Sequence, residues 1–117
     1  MRISNVTKNT IIAEEAVVAN SFLSRMAGLL HRRHLEEGEA LIITRCRSIH
    51  MFCMKFSIDA IFVDKKDRVV GIVEKIKPFC LSPVFWKASY VIELPTGSIA
   101  KSKTFPGDFV KVQGERS

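Results

Sequence analysis

The feature that most constrains the fold is a long apolar run, residues 49–63, which ends in a tight charged turn at residues 64–67. Residues 68–76 then return as a second run rich in β-branched side chains, so the two runs predict a β-hairpin. Lys55 and Asp59 are ionisable residues inside the otherwise apolar first run. Charged groups in such positions are costly unless they are paired or used, so the hairpin is where a site should be sought.

Short strand patterns and turn signals follow one another along the rest of the chain. Further strands are predicted at residues 2–6, 11–19 (with a bend or bulge at residues 14–15), 41–43, 90–94 and 109–112. A short helix is predicted from Asn20 or Ser21 to about Leu30, and a brief helical turn from Ser98. Most connections have hairpin length. The prediction is a mostly β fold with one or two short helices, an antiparallel β-barrel or sandwich of six to eight short strands.

Length and composition predict one domain, residues 1–117, because no linker-like segment divides the chain. Residues 1–20 lack a signal-peptide pattern, and no apolar run approaches the roughly 18 residues that a membrane-spanning helix needs. The three cysteines have no disulfide-framework spacing. These features predict a cytoplasmic protein with reduced thiols and no membrane partner.

The chain is basic, with a formal net charge of +6, which predicts weak, salt-sensitive attraction to anions. Its basic pairs are Arg32-Arg33, Arg45/Arg47, Lys65-Lys66, Lys75/Lys77 and Lys101/Lys103. They are spread along the sequence and are not interleaved with aromatic residues predicted to be exposed. Such a pattern is more typical of a solvated surface than of a nucleic-acid-binding stripe.

The candidate ligand-binding residues centre on the polar face of the first hairpin strand. Strand alternation places Lys55 and Asp59 on one face and His50 at the start of the other. The polar face is interpreted either as the mouth of a barrel or as the solvent side of a sheet. Arg25 of the predicted helix could reach Asp59, Glu93 or an anionic ligand, or form an ordinary helix-to-sheet salt bridge. The candidate site is therefore Arg25, His50, Lys55, Asp59 and Glu93.

Metal binding and cysteine catalysis are less favoured. His50, Met51, Cys53 and Met54 offer soft donors, but the alternation of a regular strand divides them between two faces. Cys53 lies three residues from His50 without a motif that would stabilise a thiolate. Paired zinc-ligand spacings and cofactor-binding motifs are not recognised, so no metal and no cofactor are predicted.

Over roughly residues 19–112 the sequence resembles the DUF192 family of small uncharacterised prokaryotic proteins. The motifs that carry the resemblance are Ser24-Arg25-x-x-Gly28-Leu29, Met54-Lys55 followed by Ser57-Ile58-Asp59, Ile61-Phe62-Val63-Asp64, Tyr90-Val91-Ile92-Glu93-Leu94-x-x-Gly97, and Gly107-Asp108. The chain departs from the common pattern at Phe56, where an Asn-Thr pair is frequent after Met-Lys, and at Glu39-Ala40-Leu41, where Gly-Met-Leu is usual. The resemblance implies a largely β fold and no particular reaction.

The sequence favours a non-catalytic β domain that binds a small anionic ligand or a protein partner at this charged site. One alternative is a small enzyme in which Asp59 is a general acid or base and Lys55 or Arg25 stabilises developing negative charge. The other is a basic domain that binds nucleic acid, weakly and non-specifically, through its surplus positive charge. The sequence does not predict an oligomeric state.

Overall fold

The computed structural model describes residues 1–19, 35–49, 51 and 56–114. These residues form eight strands and one short helix: β1 (Arg2–Asn5), β2 (Thr10–Ala13), β3 (Glu15–Ala19), β4 (Glu39–Thr44), β5 (Ile58–Val63), β6 (Val69–Ile76), β7 (Tyr90–Pro95), α1 (Ser98–Ser102) and β8 (Val110–Gln113). The predicted mostly β fold is confirmed. The helix predicted over residues 20–30 lies outside the described residues. In the part of the chain described, no helix is long and apolar enough to cross a membrane.

The strands form two sheets that are not closed into a barrel, so the sandwich is the predicted architecture that fits. The smaller sheet has the order β2-β1-β8, and the larger has the order β3-β4-β7-β5-β6. All of these pairs are antiparallel except β3 with β4. The parallel pair departs from the hairpin-dominated prediction because residues 20–38, which link β3 to β4, are long enough for a crossover.

The centre of the larger sheet is buried on both faces. One face packs against the smaller sheet, where Ile3 and Ile12 meet Ile61 and Ile92. The opposite face packs against loop residues, Ile49 and Met51 among them. All six residues of β5 are buried, which explains why this strand reads as a nearly continuous apolar run.

The first hairpin strand is shorter than predicted. β5 begins at Ile58, and neither Ile49 nor Met51 is in a strand. The backbone of Met51 instead exchanges hydrogen bonds with a loop, donating to the Cys80 carbonyl at 2.8 Å and accepting from Phe79 N–H at 2.7 Å. Because these apolar residues cover the second face of the sheet, they are buried without extending the hairpin.

One glycine in β6 permits a close approach by the loop before β7. The ring of Phe85 packs on Phe62, with centroids 4.4 Å apart. A Cβ atom added at Gly71 would overlap the Phe85 ring, so the ring occupies space that only glycine leaves open. Phe85 is thereby held against the sheet, and Trp86 follows it at the sheet's end.

Candidate functional site

Asp59, in β5, is a buried carboxylate that joins three parts of the fold. Its side chain is fully buried; one oxygen accepts a hydrogen bond from Lys75 N–H at 2.9 Å, and the other accepts from Gly97 and Ile99 N–H at 3.1 and 3.0 Å. These donors belong to β6 and to the start of α1. Lys75 has a left-handed backbone (φ 54°), and the carboxylate oxygen holds its N–H in that irregular position. Asp59 therefore neither faces solvent nor lines a barrel mouth, contrary to both interpretations of this strand face.

Glu93, in β7, is also buried but lies on the other face of the sheet. The register pairs Asp59 with Leu94 and Ala60 with Glu93. Because side chains alternate along a strand, Asp59 points toward the smaller sheet, whereas Glu93 points toward the opposite face. The structure does not bring these two predicted site residues together. The other three, Arg25, His50 and Lys55, lie outside the described residues, so a site that joins them to Glu93 stays a prediction.

A different group of charged residues meets at one end of the larger sheet. There β4 and β5 end, β6 and β7 begin, and a concavity of about 1090 Å³ opens. We call it the basic concavity. The described residues that line it are Arg45, Arg47, Asp64, Lys65, Lys66, Arg68, Trp86, Lys87, Ala88, Ser89 and Phe109.

Backbone hydrogen bonds hold the segments that form this concavity. Ser89 N–H donates to the Val63 carbonyl at 2.7 Å, and Phe85 N–H donates to the Arg47 carbonyl at 2.7 Å. Arg45 follows β4 in a left-handed conformation (φ 54°), which turns the chain across the end of the sheet. These bonds fix the backbone positions from which the side chains project into the concavity.

The basic concavity is rich in positive charge. In the part of the chain that the structure describes, six basic side chains and one carboxylate line it, a surplus of five positive charges. The carboxylate, Asp64, accepts hydrogen bonds from Lys66 and Arg68 N–H at 2.9 and 3.0 Å and so fixes the predicted charged turn. Among the described residues, no carboxylate forms an ion pair with any of the six basic side chains. The concavity therefore presents a strong positive potential.

Two aromatic side chains accompany these charges. Trp86 is 74% exposed and Phe109 is 47% exposed. Sequence reasoning missed this arrangement because the basic residues come from segments that are distant in sequence and meet only at the sheet's end. The local signal was Trp86-Lys87, an aromatic residue beside a cation in a loop that contains Pro83.

Asp108, next to Phe109, is a buried carboxylate that the fold holds through one of its oxygens. Its Oδ2 atom accepts hydrogen bonds from Asn5 Nδ2 at 3.0 Å, Lys8 Nζ at 2.9 Å and Phe105 N–H at 3.0 Å. Burial alone would raise the pKa of Asp108, but these bonds and the Lys8 charge outweigh burial and hold the pKa below its usual range. Asp108 therefore ties the segment before β8 to the loop after β1.

Comparison with known proteins assigns the family. The family model of DUF192, described as Uncharacterized ACR, matches residues 3–112. The chain belongs to the DUF192 family. The match begins earlier than the resemblance seen in the sequence, so all eight strands take part in it. The family resemblance predicted from the motifs is confirmed.

Relatives of this DUF192 chain carry names that state no activity. A UPF0127 protein of Pyrococcus horikoshii is 35% identical over 112 residues, covering 93% of this chain and 96% of the relative. A UPF0127 protein of Thermococcus sibiricus is 33% identical over 119 residues, covering 97% of this chain and 77% of the relative. A crystal structure of a protein of unknown function from Novosphingobium aromaticivorans matches with a TM-score of 0.79 and 22% identity, covering 95% of this chain and 82% of that one. That last likeness is one of fold alone.

Proposed function

We propose that this DUF192 chain is a non-catalytic anion-binding domain whose ligand is bound in the basic concavity. The observation that carries the proposal is the set of six basic side chains around one open concavity, with no ion-pair partner for them among the described carboxylates. Clustered like charges repel one another in the free protein. An anion bound among them relieves that repulsion, and this relief makes the free energy of binding more favourable.

Binding is favoured over catalysis by the state of the carboxylates. Asp59, the general acid or base of the enzyme alternative, lies at the other end of the larger sheet, with both oxygens accepting backbone hydrogen bonds. Asp64, in the concavity, uses one oxygen, Oδ1, to accept the two hydrogen bonds that hold its own turn. Because both Asp59 oxygens are buried and hydrogen-bonded to backbone N–H groups, Asp59 is not placed to transfer a substrate proton.

The test measures tripolyphosphate binding by calorimetry at low salt, in the wild type and in the variant Arg47→Gln/Lys66→Gln/Lys87→Gln. Exposed charges contribute about 0.5–1 kcal/mol each, so the triple variant is expected to bind at least about tenfold more weakly. The matched control is Lys77→Gln/Lys103→Gln/Lys111→Gln, which removes the same charge from exposed positions outside the concavity. The control is expected to lose less than about threefold, through long-range attraction alone.

Equal losses in the two triple variants would mean that net charge, rather than the concavity, attracts the anion. No measurable binding by the wild type would also contradict the proposal. A second position, formed by Arg25, His50 and Lys55 with the buried Glu93, stays a prediction from the sequence. Its test is the double variant Arg25→Ala/Lys55→Ala, which should weaken tripolyphosphate binding only if the ligand is bound there.

A further inference from the structure

We infer that the anion bound in the basic concavity is a single-stranded nucleic acid, with a base stacked on the Trp86 indole. This inference rests on the proposed function, anion binding in the basic concavity, and names the class of anion that is bound. The basic concavity would contact phosphates through its basic side chains and a base through the Trp86 ring. That combination is how proteins bind single strands without reading their sequence.

The exposed position of Trp86 favours a nucleic acid over a simple anion as the ligand. Its neighbour Phe85 packs inward, against the Phe62 ring and over Gly71, which has no side chain to block it. A turn closed by the Ala88 N–H bond to the Phe85 carbonyl, 2.9 Å long, then leaves Trp86 74% exposed. A large apolar ring in water is unfavourable, and a phosphate does not cover it. A planar base covers such a ring and removes it from water.

The distribution of the cations fits a chain of phosphates better than one phosphate. Lys65 and Lys66 project from the turn after β5, whereas Arg45 and Arg47 follow β4, two strands away in the sheet order. Adjacent strands are about 4.8 Å apart, so these groups are separated by roughly 10 Å at the backbone. An oligonucleotide can engage both groups at the same time, with a different phosphate at each. Trp86, which lines the same concavity, would then stack on a base of that oligonucleotide.

A single strand is favoured over a duplex because the rings need unpaired, unstacked bases. The indole of Trp86 can cover a base only if no neighbouring base already does, and Phe109, 47% exposed, gives the same concavity a second ring. Duplex recognition usually places a projecting helix or ribbon in a groove. The helix found among the described residues, α1, is five residues long, and Asp59 fixes its start at the other end of the larger sheet.

The test uses the fact that Trp86 is the chain's single tryptophan, so its fluorescence reports on this concavity alone. The probes are a mixed-sequence RNA of about 12 nucleotides, the same sequence as DNA, its duplex, and polyphosphate of matched charge. Both single strands should quench Trp86 fluorescence and bind more tightly than the duplex. Polyphosphate should bind without quenching, because it has no ring to stack.

Variants at Trp86 separate stacking from charge. Trp86→Ala is expected to weaken single-strand binding, measured by fluorescence anisotropy, by about 5- to 100-fold, and Trp86→Phe by less. The affinity for polyphosphate should change by less than about twofold in both variants. The matched control is Phe79→Ala, which removes an exposed ring of the same loop outside the concavity. Circular dichroism confirms that each variant is folded, as expected for exposed positions.

Salt dependence provides an independent readout. Each phosphate contact to a single strand contributes about −0.7 to the slope of log K against log salt concentration. Losing three contacts in Arg47→Gln/Lys66→Gln/Lys87→Gln should therefore reduce the slope by about 2, whereas Trp86→Ala should leave it unchanged.

The outcomes distinguish the two proposals. If Trp86→Ala binds single strands as tightly as the wild type while the triple variant loses both ligands, anion binding stands and the nucleic-acid inference fails. If the triple variant keeps both affinities, the proposed function fails as well. Binding of polyglutamate or of anionic phospholipid vesicles that is tighter than that of the single strands, and that depends on Trp86, would identify an acidic peptide or a membrane and overturn the nucleic acid.

Discussion

The two ends of β4 carry opposite charge, but they differ more in how that charge is used. At its start, a concavity of about 320 Å³ is lined by Glu14, Glu15, Glu36, Glu37, Gly38 and Glu39. At its end, roughly 20 Å away at 3.3 Å per residue, lies the basic concavity. Charge alone would make both ends look like sites.

Three of the five glutamates at the acidic end are held by the protein's own groups. Glu14 pairs with Arg2 at 3.1 Å, and Glu37 pairs with Lys101. Glu39 accepts a hydrogen bond from Glu36 N–H at 2.8 Å. The six cations of the basic end have no such ion pairs within the described residues. The difference shows that charge left without an internal partner, rather than charge itself, marks where a ligand is expected.

The largest expected effect comes from Asp59, whose carboxylate lies toward the acidic end and serves the fold. Asp59→Asn keeps the shape but turns an –NH₂ group toward backbone donors, and Asp59→Ala removes all three hydrogen bonds. Either change is expected to lower the free energy of unfolding by about 3–5 kcal/mol, measured by urea denaturation. Asp64→Asn, in an exposed turn, is the control and should cost less than about 1 kcal/mol. A loss below about 1 kcal/mol at Asp59 would show that its bonds are not part of the stable core.

A substitution of Asp108 tests whether a carboxylate beside the basic end stabilises the fold rather than serving the concavity. Asp108→Asn is expected to lower the free energy of unfolding by about 1–2 kcal/mol near neutral pH. The pKa of Asp108 is lowered in the folded state, so its contribution is present above the ordinary value of 3.8 and is lost as the pH falls through the folded value. Wild type and variant should therefore converge in acid. A difference that persists unchanged at low pH would contradict this account.

Removing cations from the basic end should stabilise the protein. Arg47→Gln/Lys66→Gln/Lys87→Gln relieves repulsion among exposed like charges, so the free energy of unfolding should rise by about 0.5–1 kcal/mol at low salt. Salt screens the repulsion, and the gain should disappear at about 1 M, where the Debye length is about 3 Å. Destabilisation instead would mean that these cations have structural partners.

The smallest effect is expected at the acidic end itself. Glu37 and Lys101 are 79% and 72% exposed, so their ion pair is well solvated. Glu37→Gln should change the free energy of unfolding by less than about 0.5 kcal/mol, as judged by thermal denaturation. A cost above about 1 kcal/mol would show that the acidic end contributes more to stability than its exposure suggests.

Much of the fold could be predicted because its signals are local. Turn residues and alternating apolar side chains located β1, β4, β6, β7 and β8 to within two residues, and Glu14 and Glu15 marked the break between β2 and β3. The length of β5 was overestimated because Ile49 and Met51 are buried in a loop rather than in a strand. A buried loop and a buried strand have the same apolar sequence, so hydrophobic periodicity cannot distinguish the two.

The basic concavity could not be predicted in the same way. Its cations come from the ends of strands whose order in the sheet is not their order in the sequence. Asp59 was identified as unusual for the right reason, because a charge in an apolar strand needs partners. Its partners are backbone N–H groups, however, and these leave no trace in the sequence.

The contact between Gly71 and Phe85 has a consequence for how such sequences change over time. A side chain at position 71 would displace the Phe85 ring, and with it the adjacent Trp86, without touching the concavity itself. The two positions are therefore expected to be substituted together. In relatives that carry a larger residue at the position of Gly71, the bulky ring at the position of Phe85 should be replaced by a smaller side chain. The same relatives should lack an aromatic residue at the position of Trp86.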